Sequence, residues 1–295
     1  MIVLDTVAHE TIWGGQRLLP YVNGKYERIG HLYSLCCEKG LENHIMNGSY
    51  KGMVFQEYFQ NVKDKFGLGK YREFPLILAL VEASDNLSIQ VHPNDELAVA
   101  EEDAEYGKNE SWYFLKAPNS GYIYNGCLAT SIDDVKEKMK DNELMSVVDC
   151  LQVEDEDYVY VEAGTLHALS AGSYLYEIEE NSPWTYRMFD YDRTDSNGNK
   201  RDLHVHKAVK ALDINLKSKA IQLGEVEQSE RRYTIKRLIN ETAYINTSTT
   251  LECITFIQGN CNADDIMVGT GMTVVLEPGE EIRGEIELAM MARPK

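Results

Sequence analysis

The sequence lacks any run of apolar residues long enough to cross a bilayer. It also lacks a C-x-x-C pair: Cys36 and Cys37 are adjacent, and Cys127, Cys150, Cys253 and Cys261 are scattered. Neither a thiolate zinc site nor a redox dithiol is therefore signalled. The first residues, Met1-Ile2-Val3-Leu4-Asp5, show no basic segment leading into an apolar stretch and a cleavage site. The expected location is the cytoplasm, where the cysteines would be free thiols. Positive charge is scarce, with 29 Lys and Arg against 48 Asp and Glu and a net charge of −19. That field repels nucleic acid and anionic membranes, so neither is an expected partner. It repels an anionic substrate as well, so a phosphate-bearing ligand would need a local cluster of Lys and Arg. Low-complexity tracts and tandem repeats are missing too.

The chain has 295 residues, 43% of them hydrophobic and 26% charged, as in an ordinary soluble protein of one large domain or two modest ones. Strand-like runs are frequent. Leu87 to His92, Tyr158 to Val161 and Tyr174 to Glu179 alternate apolar and polar residues as half-buried strands do. The Asn-Gly steps at Asn47-Gly48, Asn125-Gly126 and Asn197-Gly198 punctuate them. Many short strands between such turns suggest a β-sandwich or jelly roll. Two segments read as helix: Gly52 to Phe66, with Phe55, Tyr58, Phe59, Val62 and Phe66 at helical spacing, and Ser131 to Val148. The second opens on Ser131 with Asp134 three residues later, a capping-box-like start, and reads as an insertion between strands. A boundary is expected within 217–228, giving a first domain over 1–220 and a second, smaller β-domain over 221–295. The second contains no histidine, so no metal site is expected there.

Gln90-Val91-His92-Pro93 is the most informative stretch. Residues i and i+2 of a strand face one side, so Gln90 and His92 can aim an oxygen and a nitrogen at one point. Pro93 cannot continue a ladder, which places His92 at a sheet rim. Glu110 and His167, the latter after the glycine turn Ala163-Gly164-Thr165, are further candidates. Such a mixed O/N set suits Zn²⁺, and also Fe²⁺, Mn²⁺ or Co²⁺. Spacing alone leaves open that these are hydrogen-bonded core histidines. It does not select Glu110 or His167 over other acids and histidines. His204 and His206 share the same-face spacing without a nearby acid or glycine turn.

Four ordered blocks narrow the choice: the run from Phe74-Pro75-Leu76 through Leu87 to Asp95, Gly107-Lys108-Asn109-Glu110-Ser111-Trp112-Tyr113, Ala163 to Leu169, and Thr185 to Arg193. With Ile12-Trp13-Gly14-Gly15 and Gly48-Ser49-Tyr50-Lys51-Gly52, they make the chain resemble the class I mannose-6-phosphate isomerases of short bacterial type over roughly residues 8–215. The resemblance implies a mainly β fold: a cupin barrel with a helical insertion at about 131–148, then a second cupin-like domain. It implies one Zn²⁺ per chain, or another divalent metal, on Gln90, His92, Glu110 and His167. It implies that Lys108, Glu177 and Arg187 line the sugar pocket and that Ser88 touches phosphate. The implied activity interconverts mannose 6-phosphate and fructose 6-phosphate through an enediol, in a monomer or weak dimer.

Isomerisation needs a base that reaches both C1 and C2. Glu177 is the first candidate, with a solvent-facing strand acid as the alternative. Lys108 could stabilise the enediolate, and Arg187 could bind sugar oxygens or phosphate or else pair with Asp190 or Asp192. The chain departs from the family pattern at Ala79, where a lysine is usual, at Gly30-His31-Leu32-Tyr33-Ser34, where Gly-Glu-x-Trp-Glu is usual, at Glu179-Glu180 and at Pro183. The metal core is intact and the phosphate end is altered. Isomerisation of an unphosphorylated sugar and non-catalytic sugar binding are therefore the alternatives. A dioxygenase would have no evident need of Lys108 or Arg187.

Overall fold

The computed structural model describes residues 1–295 except 196, 197 and 225. Asn197 of the third Asn-Gly step, and one residue of the boundary stretch, lie outside the described residues. Three antiparallel sheets make up the structure. The first runs Ala220–Gln222, Asp157–Val161, Glu110–Lys116, Ser173–Glu180, Leu76–Ala83, His31–Leu35, Val7–His9. The second runs Tyr186–Phe189, Ile89–Val91, His167–Ala168, Tyr122–Cys127, Val148–Gln152. These two sheets close on a shared interior in which Ile77, Val81, Trp112 and Leu175 of the first meet Ile123 of the second. This is the expected jelly-roll barrel. The outer face of the second sheet, with Ile89, Val91, Ala168 and Tyr186, is covered by Val135 and Ala208 from two helices.

The third sheet runs Ile2–Val3, Thr273–Leu276, Glu252–Ala263, Glu281–Pro294, Tyr233–Ile245, Gln228–Ser229, with Ile266–Val268 added on Glu252–Ala263. It packs on the outer face of the first sheet, where Leu78, Leu80, Tyr176 and Ile178 meet Tyr233, Ile235 and Met290. One of its strands, Ile2–Val3, comes from the opposite end of the chain and pairs with Val274 and Val275.

This packing explains strand Ser173–Glu180. Its alternation marks two buried faces rather than one: Tyr176 and Ile178 lie between sheets, while Leu175, Glu177 and Glu179 point into the barrel. Glu177 is 5% exposed, so the solvent-facing alternative is excluded.

The helices are shorter than the sequence suggests. The first spans Phe55–Val62, because Val54 is still extended and Gly52 is left-handed at φ +87°. The insertion divides into helix Ile132–Lys140 and a 3-10 turn Leu144–Val147, separated by left-handed Asn142. Ser131 Oγ accepts the Asp134 N–H at 3.1 Å, as the capping pattern requires. Among the described residues no helix is long and apolar enough to cross a membrane.

Candidate metal centre and active site

Sheet register assembles the centre. His167 stands directly opposite Gln90, and Gln90 opposite Arg187, across three neighbouring strands of the second sheet. Strand Ile89–Val91 ends just before His92, and Asn94 then caps helix Asp95–Glu101 by accepting the Leu97 N–H. Pro93 thus separates strand from helix and leaves His92 at the rim. Glu110 arrives from the first sheet as the opening residue of strand Glu110–Lys116.

His92 Nε2 lies 3.1 Å from Glu110 Oε2, and His167 Nε2 lies 3.2 Å from Glu110 Oε1. All three residues are at most 2% exposed. The opposite ring nitrogens are occupied: His92 Nδ1 faces the Trp184 carbonyl at 3.0 Å and His167 Nδ1 the Thr165 carbonyl at 2.8 Å. A carbonyl only accepts, so each Nδ1 carries a proton, and in the uncharged form of each ring the Nε2 lone pair points inward. Two lone pairs then converge on both oxygens of one buried carboxylate. Burial lowers the His92 pKa, even against the opposing pull of Glu110, so proton sharing is not the easy remedy. Burial would raise the pKa of Glu110, but His92 and His167 outweigh it and hold the carboxyl well below its ordinary range. A converging set of acceptors backed by carbonyl-anchored imidazoles is the donor chemistry of a divalent cation site. Gln90 completes the ring, with Nε2 3.4 Å from His167 Nε2 and Oε1 accepting from Ser88 Oγ at 3.2 Å. A carboxamide can present either end to the centre.

Beside this centre opens a cavity of about 580 Å³ between the two barrel sheets. In the first sheet Tyr33, Ala79, Glu177 and Trp112 are successive cross-strand neighbours, and Tyr33, Glu177 and Trp112 line the cavity. Trp112 Nε1 donates to Glu177 Oε1 at 2.8 Å, while Glu177 Oε2 has no hydrogen-bond partner. Burial first, and the nearby Glu179 and Glu110 carboxylates second, push the Glu177 carboxyl well above its ordinary range, against the opposing Lys108. Lys108 Nζ pairs with Glu179 at 2.5 Å and approaches Glu110 to 3.7 Å. Burial alone would favour the neutral amine, but Glu179, Glu110 and Glu177 outweigh it and keep Lys108 charged.

At the other end of the cavity, Arg187 Nε donates to Ser88 Oγ at 3.2 Å and Nη1 to the Asp202 carbonyl at 3.0 Å. Asp190 pairs with Arg193 and Arg201 instead, and Lys200 takes Asp192. Among the described residues, no carboxylate therefore lies within ion-pairing range of Arg187.

All the sequence-derived site residues, except His92 behind its partners, line this one cavity. His31, His204, Arg201 and Lys207 line it too and were not selected from the sequence. His204 accepts the Arg187 backbone N–H through Nδ1 at 3.2 Å, whereas His206 lies on helix Val205–Ala211, so the strand spacing of the pair does not hold. For His31 the signal was the departure from Gly-Glu-x-Trp-Glu.

Comparison with known proteins gives consistent results. The family model described as the catalytic domain of type I phosphomannose isomerase matches residues 1–112. The mannose-6-phosphate isomerase ManA of Bacillus subtilis is 31% identical over 257 residues, covering 87% of this chain and 77% of that protein. The crystal structure of the mannose 6-phosphate isomerase from Bacillus subtilis superposes with a TM-score of 0.84 at 27% identity over 99% of both chains. A mannose 6-phosphate isomerase solved with zinc and yttrium shares the fold at a TM-score of 0.62 and 12% identity, over 100% of this chain and 99% of that one.

Proposed function

The chain belongs to the type I phosphomannose isomerases, and from that premise we propose how its own residues interconvert mannose 6-phosphate and fructose 6-phosphate. Gln90, His92, Glu110 and His167 hold one divalent metal ion, with zinc the first candidate. The observation that carries this reading is the pair of inward Nε2 lone pairs facing both oxygens of Glu110. A metal bound there supplies Lewis acidity toward the sugar's carbonyl oxygen, worth several kcal/mol in the transition state.

The rest falls to side chains. Isomerisation moves one hydrogen between C2 and C1 and one proton between O2 and O1, with no net oxidation. Glu177, buried on the cavity wall, is the base that takes the carbon-bound proton and returns it to the neighbouring carbon. Burial raises its proton affinity towards the operating pH, where a general base is most effective. Lys108, kept charged by its carboxylates, faces the developing enediolate. Ser88 and Arg187 receive the phosphate, because Arg187 is a half-buried cation with unspent donors. The reaction is assigned to the cytoplasm. The polypeptide is proposed to divide near residue 220 into a catalytic unit and a C-terminal unit, with Ile2–Val3 lent across.

The test is a metal and turnover measurement on three proteins. The unaltered chain should carry one divalent ion and convert mannose 6-phosphate in preference to mannose. His92→Ala and His167→Ala should lose both ion and turnover. Full metal occupancy in both variants would remove the ligand assignment.

A further inference from the structure

Glu177 Oε2 is a buried carboxylate oxygen with no hydrogen bond, a costly condition in a low-dielectric interior. His31 Nε2 approaches it to 3.6 Å. His31 also has a buried Nδ1 without a partner. A neutral imidazole carries one proton, and Nε2 is the ring nitrogen that faces the Glu177 carboxylate, so that proton belongs on Nε2. The ring is held in place by stacking. It lies 5.2 Å from Tyr33 at an interplanar angle of 3°, with His9 stacked at 6.0 Å and Trp13 edge-on at 5.1 Å.

We propose that His31 is a positioning residue for Glu177: its Nε2–H and the Trp112 Nε1–H grip the two carboxylate oxygens from opposite sides and fix the base against the substrate. This rests on the reading of Glu177 as the base. The separation of 3.6 Å shortens to a hydrogen bond in the working complex, as catalytic contacts often do on substrate binding.

A second metal site is the competing use of this corner, since His31, Glu177 and Glu179 offer ligand atoms within 4.8 Å of one another. That role is already taken by a resident cation, because Lys108 Nζ sits on Glu179 at 2.5 Å. The imidazole is neutral by environment: burial lowers its pKa to about 4. The ionisable groups facing it are His9 and Tyr33 beside it, Glu177 and Glu179 on strand Ser173–Glu180 of the same sheet, and Lys108 and Glu110 beyond them. Where the family pattern puts an acid, this chain thus supplies a neutral donor. An acid at 31 would compete with Glu177 for a proton, whereas His31 stabilises Glu177 in its ionised form.

The experiment compares His31→Phe, which keeps the stacked ring and removes both nitrogens, with His31→Gln, which restores an N–H at nearly the same reach. His31→Phe should lower kcat by about 10-fold or more, the range for a hydrogen bond to a charged group. KM for mannose 6-phosphate and metal content should stay close to those of the unaltered protein. The acid limb of its pH–rate profile should move to higher pH, because a donor to the ionised form has gone. His31→Gln should recover most of kcat and return the limb. An unaltered kcat and limb in His31→Phe would overturn the proposal. So would equal losses in both variants with the limb unmoved, which mark a packing role. Glu177→Gln, run alongside, separates the two readings: an active Glu177→Gln removes the base assignment, whereas an inactive one beside a normal His31→Phe removes only the pairing.

Discussion

Replacing Arg187 by glutamine tests the phosphate end most directly. The guanidinium donates to Ser88 Oγ and the Asp202 carbonyl, and no described carboxylate neutralises it. Burial and then the neighbouring Arg201 both disfavour its charge, lowering its pKa from the usual arginine value. Its neighbours are less available: Arg201 is bound to Asp190 at 2.5 Å and Lys207 to Glu102 at 2.5 Å. An arriving phosphate therefore meets one uncompensated cation. A hydrogen bond to a charged group is worth about 1.5–3 kcal/mol, which is about 10–150-fold in affinity. Glutamine keeps a donor for Ser88 and loses the charge. The ratio of kcat/KM for mannose 6-phosphate to that for mannose should fall by about 10–150-fold, nearly all of it from the phosphorylated sugar. Both sugars are followed by ketose formation at fixed ionic strength, because salt screens the term being measured. Circular dichroism and metal content confirm that the fold and the metal site remain. Equal losses on both sugars, or none, would refute the assignment of Arg187 to phosphate.

Further outcomes are expected. Glu177→Gln should cut kcat by about 10²-fold or more with metal content intact; near-normal turnover would pass the role to Lys108. Ala79→Lys, assayed on folded protein because Ala79 is fully buried, should raise kcat/KM for mannose 6-phosphate while leaving mannose nearly unchanged; no gain would mean that Arg187 and its neighbours already suffice. Because burial raises the Glu177 pKa and the base must be ionised, kcat/KM should fall as pH drops through a limb lying above the ordinary carboxylate range; a profile flat down to that range would contradict this. Chelation should abolish turnover, and added Zn²⁺ should restore it; activity that persists in metal-free protein would count against the metal centre.

Much of the centre was legible because local spacing encodes it. Gln90 and His92 share a strand face, and Pro93 marks the rim. Glu110 and His167 became visible only through the ordered blocks, since their meeting depends on which strands pair and in what register. His31 shows the limit most clearly. It reaches Glu177 across the intervening strand Leu76–Ala83, and nothing near position 31 announces an acid 146 positions away. The alternation of Tyr174 to Glu179 read correctly as a strand, but it understated burial. Alternating polarity records two different environments, and here the polar one is a cavity inside the barrel rather than bulk water. Helix ends moved inward at Val54 and Asn142 because backbone conformation there outweighed side-chain periodicity.

The strand Ile2–Val3 is synthesised long before its partner Thr273–Leu276, to which it is paired in the folded sheet. Its contact is among the longest in sequence, and closing so long a loop makes it a late step in folding. Until then the edge at Thr273–Leu276 is open to any other strand. Truncating the first few residues should therefore harm a region some 270 positions away, promoting aggregation through the C-terminal sheet before it disturbs the distant metal ligands.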